Sequence, residues 1–378
     1  MPQPAMTLGV MRQFAASRSL PHPKSMQPTV LQAVQHLGFV QADPMRVPAR
    51  AQDLILRHRV QGYQDGDLDR QFAELPLEED FLINYGYLPR ELALLMHPRQ
   101  PKNVWTAAQT AHAKRVLAHI RTAGPSHPRD LVATFGAATT RNAWGGSSNA
   151  TTHLLDGMQY RSMLRVARRE AGIRVYEAMS TVENALSPDQ RVQALMQALL
   201  RQYGPVTERG LRLLARYLHG GVPQFHSQIR STLATMLRNL PQARIDGVTW
   251  LWPEAESPTD FERMSGVRLL APFDPVVWDR ERFELLHGWA YRFEAYTPAS
   301  KRKLGHYALP LLVGDEVAGW ANLKVQSERL HAEIGFVKSM ATCPALKDQT
   351  LAELAKFAAF KGLKNTDCVV ARHVNSVW

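Results

Sequence analysis

The sequence predicts a mainly α chain with β elements: tandem units of helix, turn, helix and β-hairpin, then a small β-rich, barrel-like domain. Three observations carry that reading. Helical periodicity dominates the first two thirds of the chain; Gly-containing hairpin turns fall in "REAGI" and "RIDGV"; and residues 265 to 340 switch to an aromatic, β-branched composition with a turn at Gly314–Asp315. At 378 residues the chain exceeds one small core, so roughly two to four modules are expected.

Residues 7 to 37 read as two helices around the Pro-rich turn "SLPHPKSMQP", with Val30, Val34 and Leu37 on one stripe of the second. A short apolar strand in "GFVQADP" breaks on Pro44. Pro48 suits the first turn of a helix over "ARAQDLILRHRV". Its Ala51, Leu54, Ile55 and His58 face inward, with His58 a packed core histidine; Arg50, Asp53 and Arg57 face out, with Asp53 an exposed ion-pair partner of one of the two arginines. "EEDFLINYGYLPRELALLMHPR" reads as helix, turn, helix. "HPRDLVATFG" is a short helix closed by Gly136. Gly145 and Gly146 then make a turn, and Ser147, Ser148 or Asn149 caps a helix over "ATTHLLDGMQY". "MLRVARREAGIRVYEA" is a hairpin. Helix, turn, helix, hairpin is the winged-helix pattern, whose second helix enters the DNA major groove while the hairpin touches backbone or minor groove. Residues 190 to 252 repeat it, with three helices and a hairpin around Asp246–Gly247. "ALKDQTLAELAKFAAFKGL" is a closing amphipathic helix. The expected modules are 1–105, a divergent winged-helix-like unit carrying the short strand; 106–182 and 183–258, two further winged helices; and 259–378, the β-rich domain with its closing helix.

Composition narrows the function classes. The two cysteines, Cys343 and Cys368, make neither a disulfide framework nor a zinc set, which points to a reducing, cytoplasmic setting. No apolar run reaches the ~18 residues of a membrane span. The N-terminus, with Arg12 and Arg18 and no apolar segment before a small-residue cleavage site, reads as the first helix and not as a signal peptide. Net charge is +11, and residues 101 to 175 hold eleven Lys or Arg against three acids, an excess of eight. Such a field attracts polyanions, nucleic acid first among them; it also fits a merely solubilising surface. There is no P-loop, no HExxH, no nucleophile elbow and no metal-type Cys/His spacing, so no metal or cofactor is expected.

One stretch holds candidate chemistry. In "GFVQADP", side chains alternate faces, so Gln41 and Asp43 share one face about 7 Å apart. An amide and a carboxylate so placed form either a solvated face, with Asp43 a turn residue before Pro44, or a small catalytic device. Four blocks in order then carry a resemblance: "LGFVQADPMRVPARAQDLILRHR", "WGGSSNATTHLLDGMQYRSMLRVARR", "LLAPFDPVVWDRERF" and "ASKRKLGHYALPLLVGDEVAGW". Together they resemble the AlkZ/YcaQ-like winged-helix DNA glycosylases over nearly the whole chain, and Gln41 and Asp43 match the Gln-x-Asp form of that family's catalytic motif. Trp320 and Asn322 stand where the pattern usually has Arg and Asp, and "GHY" at 305–307 where two aromatics are common.

The resemblance implies a monofunctional glycosylase acting on N7-alkylated purines, with interstrand-crosslink unhooking a further expectation, and three winged helices around a DNA-sized groove. Asp43 then stabilises an oxocarbenium-like sugar and takes a proton from water, Gln41 orients that water, and positive surroundings keep Asp43 ionised. The expected partner is duplex DNA carrying alkylated or crosslinked bases, bound by a monomer at the nucleoid. DNA-contacting candidates are Ser147, Ser148, Asn149 and Thr151 at a helix start, Arg161, Arg165, Arg168 and Arg169 along the hairpin, and the basic turn Lys301, Arg302 and Lys303. Each has an ordinary structural alternative, a plain cap or a solvated face. The competing function is a non-catalytic winged-helix DNA-binding protein, either a regulator or a damage binder.

Overall fold

A computed structural model describes residues 6–22, 25–101, 103–136, 139–141, 147–180, 184–337, 344–364 and 368–372. The chain divides into two compact, discontinuous units. One comprises Met1–Asp67, Gln197–Leu213 and Thr235–Trp378; the other comprises Leu68–Met196 and Leu214–Ala234.

In the first unit, Thr7 caps the helix Leu8–Ser19 by accepting from the Val10 N–H. That helix buries Met11, Phe14 and Ala15 against Trp250, Trp252 and Leu286, joining the chain's start to residues more than 230 positions later. Thr29 caps the helix Val30–Leu37, whose Val30, Val34 and Leu37 are buried as the stripe requires; Gly38, at φ 77°, ends it. A three-stranded sheet runs in the order Val206–Thr207, Val248–Leu251, Gln242–Ile245. Its hairpin turns through Asp246 and Gly247 at φ 49° and 79°, the left-handed pair that a two-residue hairpin demands.

The larger sheet of this unit has five strands in sequence order: Val267–Leu269, Leu309–Val313, Glu316–Gln326, Arg329–Phe336 and Val369–Arg372. It is open, which corrects the expected barrel. The first four strands are antiparallel, but Val369–Arg372 lies parallel to its neighbour. A parallel strand needs a crossover, supplied here by the helix Pro344–Phe360, so the last strand extends the sheet instead of closing it on the first.

In the second unit, Leu77–Phe81 and Tyr85–Pro89 form an antiparallel hairpin where a helix was expected; the helix Arg90–Leu94 follows. The acids of the first strand are buried: Glu78, Glu79 and Asp80 are 6%, 1% and 6% exposed. Distant arginines satisfy them. Arg165 and Arg90 pair with Glu78, Arg169 holds Glu79 through both oxygens, and Arg99 and His97 each meet Asp80 at 2.8 Å. Burial alone would raise the Asp80 pKa, but Arg99 and His97 outweigh it and hold the carboxyl at about 2.

The helices Ala107–Ala123, Pro128–Phe135 and Ala150–Tyr160 precede a hairpin of Leu164–Glu170 and Ile173–Ala178. Its turn, Ala171–Gly172, takes φ 49° and 84° as "AG" allows. The helices Pro188–Tyr203, Glu208–Gly221 and His226–Asn239 also stand where periodicity placed them. Ser147–Asn149 forms a short strand paired with Thr139–Arg141 and leads directly into the helix Ala150–Tyr160. The connecting turn with Gly145 and Gly146 falls outside the described residues.

Candidate active site

Gln41 ends a two-residue strand, Val40–Gln41, and is 3% exposed. The Trp278 indole Nε1–H donates to Gln41 Oε1 at 3.1 Å. An indole nitrogen only donates, so this bond fixes the amide's orientation: the oxygen faces Trp278 and the two Nε2 hydrogens face away. Trp278 is packed on Tyr203, ring centroids 4.8 Å apart. The Gln202 amide anchors the strand's start at the Phe39 carbonyl.

Asp43 follows as a half-buried carboxylate. Its Oδ1 accepts from the Met45 N–H at 2.8 Å, closing the turn through Pro44, and its own N–H points to Gln52 Oε1 at 3.4 Å. Oδ2 makes no hydrogen bond or ion pair among the described residues. The turn-residue role foreseen for Asp43 therefore uses one oxygen and leaves the other.

The electrostatics differ from expectation. Burial raises the Asp43 pKa, and the Met45 N–H only partly opposes it; no cation among the described residues pairs with it. Its charge is felt by Tyr307. That phenol is pushed well above its usual range, first by burial and then by Asp43, and its buried oxygen has no hydrogen-bond partner among the described residues. Arg280, which also influences Tyr307, is committed elsewhere: it donates to the Val277 carbonyl and lies 4.7 Å over the Tyr291 ring.

The helix Ala51–Leu56 is buried along its whole length, starting three residues after Pro48. Asp53 is fully buried, not exposed: it pairs with Arg50 at 3.2 Å and accepts from the Tyr63 hydroxyl at 2.7 Å. Arg57 is also turned inward, pairing with Glu353 at 2.8 Å. His58 is the packed core histidine expected, bonded to the Leu269 carbonyl at 2.8 Å, its pKa driven well down by burial and then by Arg57.

The nucleic-acid candidates separate into groups. Arg165 and Arg169 are spent on the buried acids Glu78 and Glu79 and, for Arg165, the partly exposed Glu177, and Arg168 makes an exposed pair with Glu170. Arg161 lies 3.9 Å over Trp105 and donates to the Asn103 carbonyl at 2.7 Å. Thr151 is buried and bonded to the Gly136 carbonyl. Ser147, Ser148 and Asn149 are described only as strand backbone.

The Lys301–Lys303 turn presents both lysines to solvent. Its backbone is locked by Glu294, whose Oε2 accepts from the N–H groups of Lys303, Leu304 and Gly305 at 2.8, 2.7 and 3.3 Å. Arg302 is turned inward and donates to the Thr297 carbonyl at 2.8 Å. Asn322, one of the two departures noted in the sequence, bonds the Leu304 carbonyl at 2.7 Å beside Gly305. Trp320, the other, stacks on Trp289 at 6.1 Å.

Gln52, Trp278, Tyr307 and Glu294 were not singled out as site residues from the sequence. No local signal ties the Trp278 indole to an amide 237 residues earlier. Among the described residues no group of three His, Cys, Asp or Glu could hold a metal ion, and no helix is long and apolar enough to cross a membrane. In the second unit a cavity of about 700 Å³ is lined by Trp105, His112, His153, Tyr160, Arg161 and others.

A family model described as DNA glycosylase AlkZ-like matches residues 34–360. The chain belongs to the AlkZ-like DNA glycosylase family. The match begins before the Gln41 strand and ends with the helix Pro344–Phe360, so both candidate catalytic residues and the basic turn lie inside it. No solved structure matches the chain. Family membership supports a DNA-repair glycosylase that acts on DNA.

Proposed function

We propose that this glycosylase hydrolyses the N-glycosidic bond of N7-alkylated purines in duplex DNA, with Asp43 as base and electrostatic stabiliser and Gln41 as the group that orients water. One observation carries the reading: Asp43 is half-buried and fixed through Oδ1, the neighbouring Gln41 amide is oriented by Trp278, and among the described residues neither Asp43 Oδ2 nor Gln41 Nε2 has a hydrogen-bond partner. N7-alkylation makes the purine cationic, so it leaves without prior protonation. Water oxygen bonds to C1′, the C1′–N9 electron pair returns to the purine and neutralises it, and the water proton passes to Asp43 Oδ2. The anion also stabilises the oxocarbenium-like sugar. No lysine nucleophile is invoked, which makes the enzyme monofunctional. The helix-rich segments 106–182 and 183–258 would hold the duplex as winged helices, in a monomer. Crosslinked purines are a natural extension, since an N7-linked base is equally cationic.

The test is base release from duplexes carrying N7-methylguanine, with a gel shift on the same DNA. Asp43→Asn retains an oxygen for the Met45 N–H, so fold and DNA affinity stay while release falls about 10²–10⁴-fold. An Asp43→Asn protein that releases base at the wild-type rate removes the assignment. Tight binding with no release by the wild type would return the molecule to the non-catalytic reading.

A further inference from the structure

Tyr296 is 81% exposed, the most exposed aromatic among the large hydrophobic side chains left at the surface. An open phenol ring offers its face to whatever approaches. It is also well supported from behind. Its ring stands nearly perpendicular to Phe293, centroids 6.2 Å apart at 81°, and Phe293 in turn meets Tyr307 at 5.2 Å and 88° and Phe273 at 5.2 Å and 67°. Tyr307 is the phenol that senses Asp43, so the aromatic row runs from the surface toward the candidate catalytic carboxylate.

The loop beneath Tyr296 is held at several points. The Thr297 N–H bonds the Glu294 carbonyl at 2.9 Å, Arg302 clasps the Thr297 carbonyl, and Glu294 gathers three N–H groups of the basic turn. Exposed Lys301 and Lys303 thus flank the same loop. An exposed aromatic ring on a fixed loop that also carries two exposed lysines matches the chemistry of a nucleic acid, with a π-face on each base and a negative backbone beside it.

We propose that Tyr296 is a nucleobase-stacking residue, packing on a base beside the lesion while Lys301 and Lys303 take the adjoining phosphates. The proposal rests on the glycosylase reading of the neighbouring carboxylate. Stacking at this point would hold the helix distorted, so that C1′ of the damaged nucleotide reaches Asp43 without full extrusion of the base.

The experiment uses the full chain and a duplex with N7-methylguanine, 2-aminopurine being placed next to the lesion as a reporter of stacking. Tyr296→Ala is expected to weaken binding roughly 5- to 150-fold, the range of a lost base–aromatic stack. The 2-aminopurine should be brighter in its complex than in the wild-type complex. Tyr296→Phe should restore both, because stacking needs the ring and not the hydroxyl. The melting temperature should not move, since the side chain is exposed. Tyr296→Ala with wild-type affinity and wild-type 2-aminopurine signal overturns the proposal, as does a Phe variant no better than Ala. Asp43→Asn separates the two readings: it should bind and report stacking as the wild type does while base release falls about 10²–10⁴-fold. If Asp43→Asn still cuts, the catalytic assignment fails on its own, and the fluorescence result continues to judge Tyr296.

Discussion

Replacing Trp278 by Phe removes one N–H and keeps most of the ring that packs on Tyr203. The lost bond is neutral, partly buried and 3.1 Å long. Such bonds are worth about 0.5–1.5 kcal/mol. The loss frees the Gln41 amide to rotate, so Oε1 competes with Nε2 for the position facing the water. Converted to rate, the expected loss is roughly 2- to 12-fold in single-turnover base release. The informative design is a cycle of four proteins: wild type, Trp278→Phe, Gln41→Ala and the double variant. If Trp278 acts only by orienting Gln41, its substitution costs nothing once Gln41 is Ala. An equal penalty in both backgrounds would refute the argument, because Trp278 would then be acting through packing or directly on DNA. So would a Trp278→Phe protein with unchanged release.

Three further outcomes are expected. Burial raises the Asp43 pKa and the reaction needs the anion, so the acidic limb of the pH–rate profile should lie above the ordinary carboxylate value of 3.8, with activity rising as pH rises; Asp43→Asn should abolish that limb, and a limb at or below 3.8 would contradict it. Asp80 is held at about 2, so its contribution is complete above the unfolded value near 4 and is lost as pH falls toward 2; urea unfolding at pH 7 should show Asp80→Asn less stable by about 2–3 kcal/mol, and no loss would disprove the buried pairing. Gly305 sits at φ 119° with Asn322 where a Cβ would go, 2.4 Å away, so Gly305→Ala should lower the melting temperature and weaken DNA binding through the basic turn; a variant unchanged in both would show the turn to be free to shift.

Local signals were legible and distant ones were not. The hairpins at Asp246–Gly247 and Ala171–Gly172 declare themselves, because left-handed turn pairs restrict the residues that fit. The hairpin over Leu77–Pro89 was hidden: its acids look solvated until the arginines 87 to 90 residues later are known. The same pairs explain why the charge count over residues 101–175 overstates the field available to DNA, since Glu78, Glu79 and Glu177 lie outside that window. The open sheet could not be told from a barrel, because strand composition does not say which edges meet. At the site, Gln41 and Asp43 stood out through the likeness of the motif, and the turn role of Asp43 was readable from Pro44. The indole that orients Gln41 was not, since packing alone brings Trp278 there.

The discontinuous first unit has a consequence for synthesis. Gln41 and Asp43 leave the ribosome well before the indole that sets Gln41, which arrives 237 residues later, and the phenol that senses Asp43 comes later still. A chain cut short by premature termination or proteolysis before residue 278 therefore lacks the organised amide, even when segments 106–258 are complete. On the proposed reading, base removal then waits for the distant half of the first unit, and a truncated chain carries the amide and carboxylate without the partner that aims the amide.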